Sequence, residues 1–429
     1  MSGSGTPSQA PRVVELRRRV HARPELAFTE IETAALVVSR LRGVADDVSF
    51  GADCCRIDDV HGLPSRHDLG AARDRARARG VPDDLVSALG AGRTGVVARL
   101  RGSRPGPTTA IRFDMDALPV RESESPDHAP RSAGFASTLP GQMHACGHDG
   151  HVAIGIELGL RLGADHDFPG EVVLLFQPAE EGVRGAATLV AAGATRGVDR
   201  LIGLHLGIGL PVGTVAASAQ GLLATEKWIV SFRGRAAHAA LSPEEGRHAV
   251  LGAATAALNL HTIAQVGQGS ARVNVGALHG GTATNIVPES AELWCEVRAD
   301  APETFDLLRR RAHDVVAGAA GAYGLEVDVE VTGSALTIRC DRELAEELGR
   351  VAETMPSVST VRYDAAMVAS DDVTVLMADV QRAGGLATLV LVGAGSPAPH
   401  HHERFDLDER CLDIAVDWLE MAIRGSTAK

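Results

Sequence analysis

Apolar residues along this chain fall into short unbroken runs separated by segments of helical spacing. The runs at 95–100, 108–113, 171–176, 201–206 and 386–392 are built largely of Val, Leu, Ile, Ala and Phe. Runs of this length predict strands, and helical patterns lie between several of them. That alternation predicts an α/β fold, a mostly parallel sheet covered by helices, whose ligands gather beyond the carboxyl ends of the strands. Ahead of it, residues 8–45 read as one or two helices broken at Pro24. Residues 49–95 read as an excursion with Cys54 and Cys55, several Gly and Pro, and an Arg/Ala helix near 71–79. No chemistry is legible there, and the vicinal cysteines read as inert.

The pattern changes near residue 225. A strand at 227–232 is followed by a helix from about 244 to 264, strands at 272–277 and 292–298, a helix at 303–322, and a strand at 326–331 where valines alternate with acids. The order β-α-β-β-α-β is that of a ferredoxin-like unit. Helix and strand signals of the first kind resume near Cys340. The expected organisation is a catalytic domain of residues 1–222 and 334–429, with 223–333 inserted as a ferredoxin-like α+β domain. That unit exposes strand edges and a helix face, so a homodimer is expected.

Composition narrows the classes. Hydrophobic residues make up 45% of the 429 and aromatics only 3%, so Ala, Val and Leu must fill the core. A net charge of -13 argues against nucleic acid or an anionic membrane as partner. The six cysteines are sparse and irregular, unlike a disulfide framework. Residues 1–7 are polar without an apolar signal core, and no run of about 18 apolar residues predicts a membrane span. A cytoplasmic enzyme with reduced thiols is the expectation.

The chemistry centres on Met143-His144-Ala145-Cys146-Gly147-His148-Asp149-Gly150-His151. Cys146 and His148, two positions apart, can reach one metal ion if the backbone turns, and Gly147 and Gly150 supply that freedom. The apolar run that follows predicts a helix starting here, with Asp149 at its positive end. Polar residues also end other strands. Asp114 and Asp116 follow 108–113, the pair Glu180-Glu181 follows 171–176, His205 sits within 201–206, and His400-His401-His402 follow the last strand. Each alone is weak evidence. Together, Cys146, His148, Glu180 or Glu181, His205 and one histidine of 400–402 exceed what one catalytic zinc needs. They suit two divalent ions sharing the thiolate, with a neighbouring glutamate to carry protons, which is the apparatus of amide hydrolysis.

With these residues in place the sequence resembles the M20 metallopeptidase superfamily, in its amidohydrolase branch. The segments that carry the resemblance are Asp114 to Pro119, Met143 to His151, Gln177 to Gly182, Gly203-Leu204-His205, Ala236 to Ala240 around His238, Asn285-Ile286-Val287-Pro288 and Phe405 to Glu409. The resemblance implies Cys146 as bridging ligand, His148, Glu181, His205 and His401 as terminal ligands, and Glu180 as general base. His400 and His402 are runners-up for His401. It implies that His238 and Asn285 stabilise the oxyanion, often in a partner subunit's site, and that Arg298 holds the substrate's carboxylate. The cofactor would be two Mn2+ or Zn2+ ions. The substrate would be a small N-acyl amino acid with an aromatic acyl group, of the p-aminobenzoyl-glutamate or indole-3-acetyl-aspartate type. A broad hippurate-like amidohydrolase and a catalytically silent subunit of a mixed complex are the competing readings. Two departures from the family pattern, Ser370-Asp371-Asp372 and Phe113, bear on pocket shape.

Overall fold

Side chains in the apolar runs divide by parity. Val172, Leu174 and Phe176 enter one core while Val173 and Leu175 enter another, and Val390 and Val392 part in the same way from Leu389 and Leu391. A strand apolar on both faces must be covered on both, which explains why these runs do not alternate. The structure is a computed structural model that describes residues 12–426 apart from 59, 61 and 268. The polar residues 1–7 therefore lie outside the described part.

In chain order the elements are α1 (Arg12–His21), α2 (Ile31–Leu41), β1 (Asp47–Phe50), α3 (Arg66–Ala78), α4 (Asp83–Leu89), β2 (Val96–Arg101), β3 (Arg104–Asp114), α5 (Ala129–Ser132), α6 (His148–Leu162), β4 (Pro169–Gln177), α7 (Gly185–Ala192), β5 (Arg200–Leu206), β6 (Thr214–Ala216), β7 (Ala219–Gln220), β8 (Ala224–Arg233), α8 (Ala249–Leu260), β9 (Ala271–Gly280), β10 (Ser290–Ala299), α9 (Pro302–Ala322), β11 (Glu326–Ala335), α10 (Arg342–Glu353), β12 (Thr360–Arg362), β13 (Ala365–Ala366), α11 (Val373–Arg382), β14 (Leu386–Val392) and α12 (Arg410–Gly425). The main sheet has the order β1-β2-β4-β3-β5-β14-β6-β12. Its centre, β4-β3-β5-β14, is parallel, and β1, β2 and β6 add antiparallel pairings. The strands β3, β4, β5 and β14 thus end side by side.

A second sheet, β11-β8-β10-β9, is wholly antiparallel, and its order is that of the ferredoxin-like unit expected from the sequence. It is inserted between β7 and α10. Trp228, Val230, Phe232, Leu293 and Val297 pack with α8 and α9 on one face. Helix α8 is shorter than expected: Pro243–Glu245 form a separate 3-10 turn, and the His248 side chain caps α8 by accepting from Leu251 N–H. The short strands β6, β7, β12 and β13 had no signal strong enough to predict them.

Two glycines of the central run act differently. Gly147 caps α6 with φ near 90°, a left-handed turn that only glycine enters freely. Gly150 lies inside α6, where a Cβ would come within 2.6 Å of Leu206, so it serves close packing and not turn freedom. Phe113 is fully buried and its ring fills the space left by Gly155 of α6. This departure from the family pattern belongs to the core.

The start of α6 is fixed by charge. Arg17 of α1, fully buried, bonds Asp149 Oδ2 at 2.8 Å and Asp406 Oδ1 at 2.6 Å. His21 bonds Asp149 Oδ2 at 2.8 Å through Nδ1 and Glu122 Oε1 at 3.0 Å through Nε2. Burial opposes charge on His21, but Asp149 and Glu122 outweigh it and lift its pKa to about 9. A histidine raised above its unfolded value of about 6.5 stabilises the fold fully below that pH and loses the contribution as pH rises through 9. Unfolding free energy should therefore decline between pH 6.5 and 9 by at most about 3 kcal/mol from this group. His21→Gln should flatten that part of the urea-denaturation profile; an unchanged slope would contradict the assignment.

Candidate metal centre at the strand ends

The residues singled out from sequence converge where β3, β4, β5 and β14 end. Cys146, His148 and His205 bring their ligand atoms within 4.8 Å of one another, and so do Cys146, Glu181 and His401. Cys146 is common to both sets. Its Sγ lies 3.6 Å from His205 Nε2. His401 Nε2 lies 3.4 Å from Glu181 Oε2, and His148 Nε2 lies 3.9 Å from Glu181 Oε1.

Hydrogen bonds decide which imidazole atoms are available. His205 Nδ1 donates to Leu206 O at 2.9 Å, which leaves Nε2 as the lone pair facing Cys146. His148 Nδ1 donates to Asp116 O at 2.8 Å, and its Nε2 is buried with no partner. His151 accepts from Leu206 N–H at Nε2, so its Nδ1 carries the proton and donates to Asp114. Its ring is satisfied and acts as a brace. His400 bonds Leu206 O through Nε2 at 3.1 Å, and His402 accepts from Arg404 N–H, whereas His401 turns toward Glu181. His401 does so from a left-handed backbone, φ 65°, held by its N–H on Ala145 O at 2.8 Å. His144 is fully buried, and burial lowers its pKa to about 3, so it is neutral.

The Glu180-Glu181 turn is held from behind. Asp116 accepts from the N–H groups of Glu180 at 2.9 Å and Glu181 at 3.0 Å. Glu30 accepts from Ala179 N–H, and Asp372 from Ala186 N–H, each at 2.9 Å. Ala179 and Val183, either side of the pair, have φ of 54° and 53°. Left-handed backbone at non-glycine residues costs about 1–3 kcal/mol and persists where surrounding bonds over-determine it. Here three buried carboxylates do so.

Electrostatics mark the site as starved of positive charge. Burial, then Glu181, pushes the Cys146 thiol well above its usual pKa. Burial, then Asp371 and Glu181, raises Glu180 well above the carboxylate range, and burial raises Glu181 to about 7 against the pull of His148. Burial opposes charge on His148, but Asp114 and Cys146 outweigh it and raise its pKa. The donor set of thiol, imidazoles and carboxylates, with His148 Nε2 and Glu181 Oε1 both buried and unpartnered, fits divalent cations.

A cavity of about 270 Å³ opens onto Cys146, Glu180, Glu181, His205 and His401. Arg298 lines it, paired with Glu296 at 2.9 Å through both Nε and Nη2. Lys227 of β8 also lines it and donates to Glu181 O at 3.0 Å. The sequence reading missed Lys227, a polar position in a half-buried strand. It also missed Arg112, fully buried between Asp114, Asp371 and Asp372; an arginine inside an apolar strand was the available signal. Asp371 and Asp372 lie within 4.8 Å of Glu180, so that departure from the family pattern sits beside a proposed catalytic group. His238 and Asn285 are not brought to this cavity. They lie exposed on paired segments of the second sheet's domain, where Ala239 N–H bonds Asn285 O at 3.0 Å. His238 Nδ1 accepts from Ala240 and Leu241 N–H at 3.2 Å, so Nε2 carries a proton and points outward as a donor.

A family profile described as Peptidase family M20/M25/M40 matches residues 110–425. The chain belongs to this family. Indole-3-acetyl-aspartic acid hydrolase of Enterobacter agglomerans is 41% identical over 96% of this chain and 95% of that protein. One of the subunits of p-aminobenzoyl-glutamate hydrolase from Escherichia coli K12 is 39% identical over 96% and 95%. Among solved structures, an aminobenzoyl-glutamate utilization protein from Klebsiella pneumoniae superimposes with a TM-score of 0.83 at 36% identity, over 96% of each chain. The match takes in the inserted sheet and the main sheet from the second half of β3 onward, and membership of this family makes the chain a hydrolase.

Asp116→Asn should leave one N–H of the Glu180-Glu181 turn facing an amide nitrogen that cannot accept. Urea unfolding should show a loss of about 1–3 kcal/mol. No loss would mean that the turn does not depend on this carboxylate.

Proposed function

We propose that this chain is a metal-dependent amidohydrolase that cleaves the amide between an aromatic acyl group and an acidic amino acid, of the p-aminobenzoyl-glutamate or indole-3-acetyl-aspartate type. The observation that carries the reading is the shared thiol: Cys146 alone belongs to both the set with His148 and His205 and the set with Glu181 and His401. With an ion in each set, the Cys146 thiolate would be shared between them. Two divalent ions, Mn2+ or Zn2+, held there would polarise the scissile carbonyl and acidify the attacking water.

The chain's own groups do the rest. Glu180 belongs to neither set with Cys146, though its carboxyl lies within reach of His148 and Glu181; it lines the same cavity, and its backbone is fixed by Asp116. It would take the water's proton and return it to the leaving nitrogen. Arg298 and Lys227 would receive the carboxylate next to the scissile bond. Hippurate carries that carboxylate too, so it is the names of the two relatives that favour an acidic product over a hippurate-like one. No helix among the described residues is long and apolar enough to cross a membrane.

His238 and Asn285, outside the cavity of their own chain, would serve the site of a second copy, with the outward Nε2–H of His238 meeting the oxyanion. Helix α8 and the edge strand β9 carry exposed Leu251, Leu258 and Leu278, which supports pairing through this domain. A related second subunit could take the same place.

Glu180→Gln should lower hydrolysis of p-aminobenzoyl-glutamate by about 10²–10⁴-fold while elemental analysis finds the metal content kept. Cys146→Ser should lose metal. Unchanged hydrolysis in Glu180→Gln would remove it as the base, and better turnover of hippurate than of p-aminobenzoyl-glutamate by the unaltered protein would overturn the acidic-product reading.

A further inference from the structure

A second cavity, of about 580 Å³, is lined in part by Glu181 and Gly182. It lies between the excursion of residues 49–95 and the loop after β3, and Glu181 lines both cavities. Helix α3 supplies Ala71 and Ala72 to its wall, opposite Leu26, Leu118 and Pro119. Its size is that of a small-molecule site, apolar with a few polar groups.

Two guanidiniums line it. Arg75 is matched by acids, with Glu32 at 3.6 Å and Glu25 at 3.8 Å. Arg184 is not. Among the described residues no carboxylate forms an ion pair with it, and the buried carboxylates of Asp116 and Glu30 act on it only from further away. Its Nη1 donates to Gly62 O, its Cζ lies 5.6 Å from the centre of the Phe28 ring, and its Nε is buried with no acceptor. With Nη1 engaged and Nε enclosed, Nη2 is the donor that remains for a ligand. A guanidinium held in a largely apolar wall with no carboxylate beside it is costly, and an anion met at Nη2 offsets part of that cost.

We propose that Arg184 is a specificity-determining residue that receives the side-chain carboxylate of an N-acyl dicarboxylic amino acid in this second cavity. The assignment rests on the hydrolase reading above, which places the carboxylate beside the scissile bond against Lys227 and Arg298. A second carboxylate one or two methylenes further along would pass Glu181, which lines both cavities, to meet Arg184, and Lys227 and Arg184 also face a common cavity. The excursion thereby gains a purpose: α3 walls the cavity, and Gly62 sets the guanidinium's orientation.

The test is calorimetric binding of N-benzoyl-glutamate and N-benzoyl-glutamine to metal-loaded Glu180→Gln protein, with and without Arg184→Met, which keeps an apolar stem against Phe28. The protein carrying Glu180→Gln alone should bind the glutamate compound at least tenfold more tightly than the glutamine compound. Adding Arg184→Met should erase that preference and leave affinity for the glutamine compound within twofold, and Arg184→Lys should restore part of it. A preference that survives Arg184→Met, an equal loss for both ligands, or binding of neither would overturn the assignment. If the unaltered protein hydrolyses neither compound yet the preference disappears with Arg184, the hydrolase reading fails and the carboxylate site stands.

Discussion

The structure turns on a concentration of buried negative charge that the protein alone does not balance. Asp114, Asp116, Glu180, Asp371 and Asp372 are all buried where the parallel strands end, with Glu181 and the Cys146 thiol among them. Arg112 is the guanidinium buried with them, and it pairs with Asp114, Asp371 and Asp372. Ionised carboxylates removed from water cost several kcal/mol each unless paired. The raised pKa values of Glu180, Glu181 and Cys146 express that cost as a demand for cations.

The fold meets the demand by fixing positions before any ion arrives. The parallel strands bring four chain segments to one edge, and α6 begins there at a glycine turn. Arg17 and His21 anchor α6 through Asp149, one residue beyond His148. Backbone donors around the glutamate pair are taken by Asp116, Glu30 and Asp372, so the side chains of Glu180 and Glu181 remain free to act. Left-handed backbone at Ala179, Val183 and His401 shows how tightly this arrangement is specified.

Much of this was legible in the sequence, for identifiable reasons. The central strands are apolar on both faces and stand out as unbroken runs, and the ferredoxin-like unit declares itself by order and alternation. Cys146 and His148 stand out as a Cys/His cluster at the start of a helix, and Glu181, His205 and one of three adjacent histidines could be gathered to them because each follows or sits in such a run. The family resemblance, not the spacing, singled out His401; the hydrogen bonds that occupy its neighbours, His400 to Leu206 O and Arg404 N–H to His402, are encoded by no spacing. Lys227 and Arg184 were invisible for a related reason: each owes its meaning to a partner segment distant in sequence, the glutamate turn for one and the loop at Gly62 for the other. The short strands β6 and β12 are three residues each, too few to show a period.

The central claim is that two cations share the sulfur of Cys146. Crystals of protein loaded with manganese or zinc, measured on both sides of the metal's absorption edge, test it most directly. The account predicts two anomalous peaks about 3.5–4 Å apart with the Cys146 sulfur between them, one near His148 and His205 and the other near Glu181 and His401. A single peak away from that sulfur, or none at full loading, would contradict it.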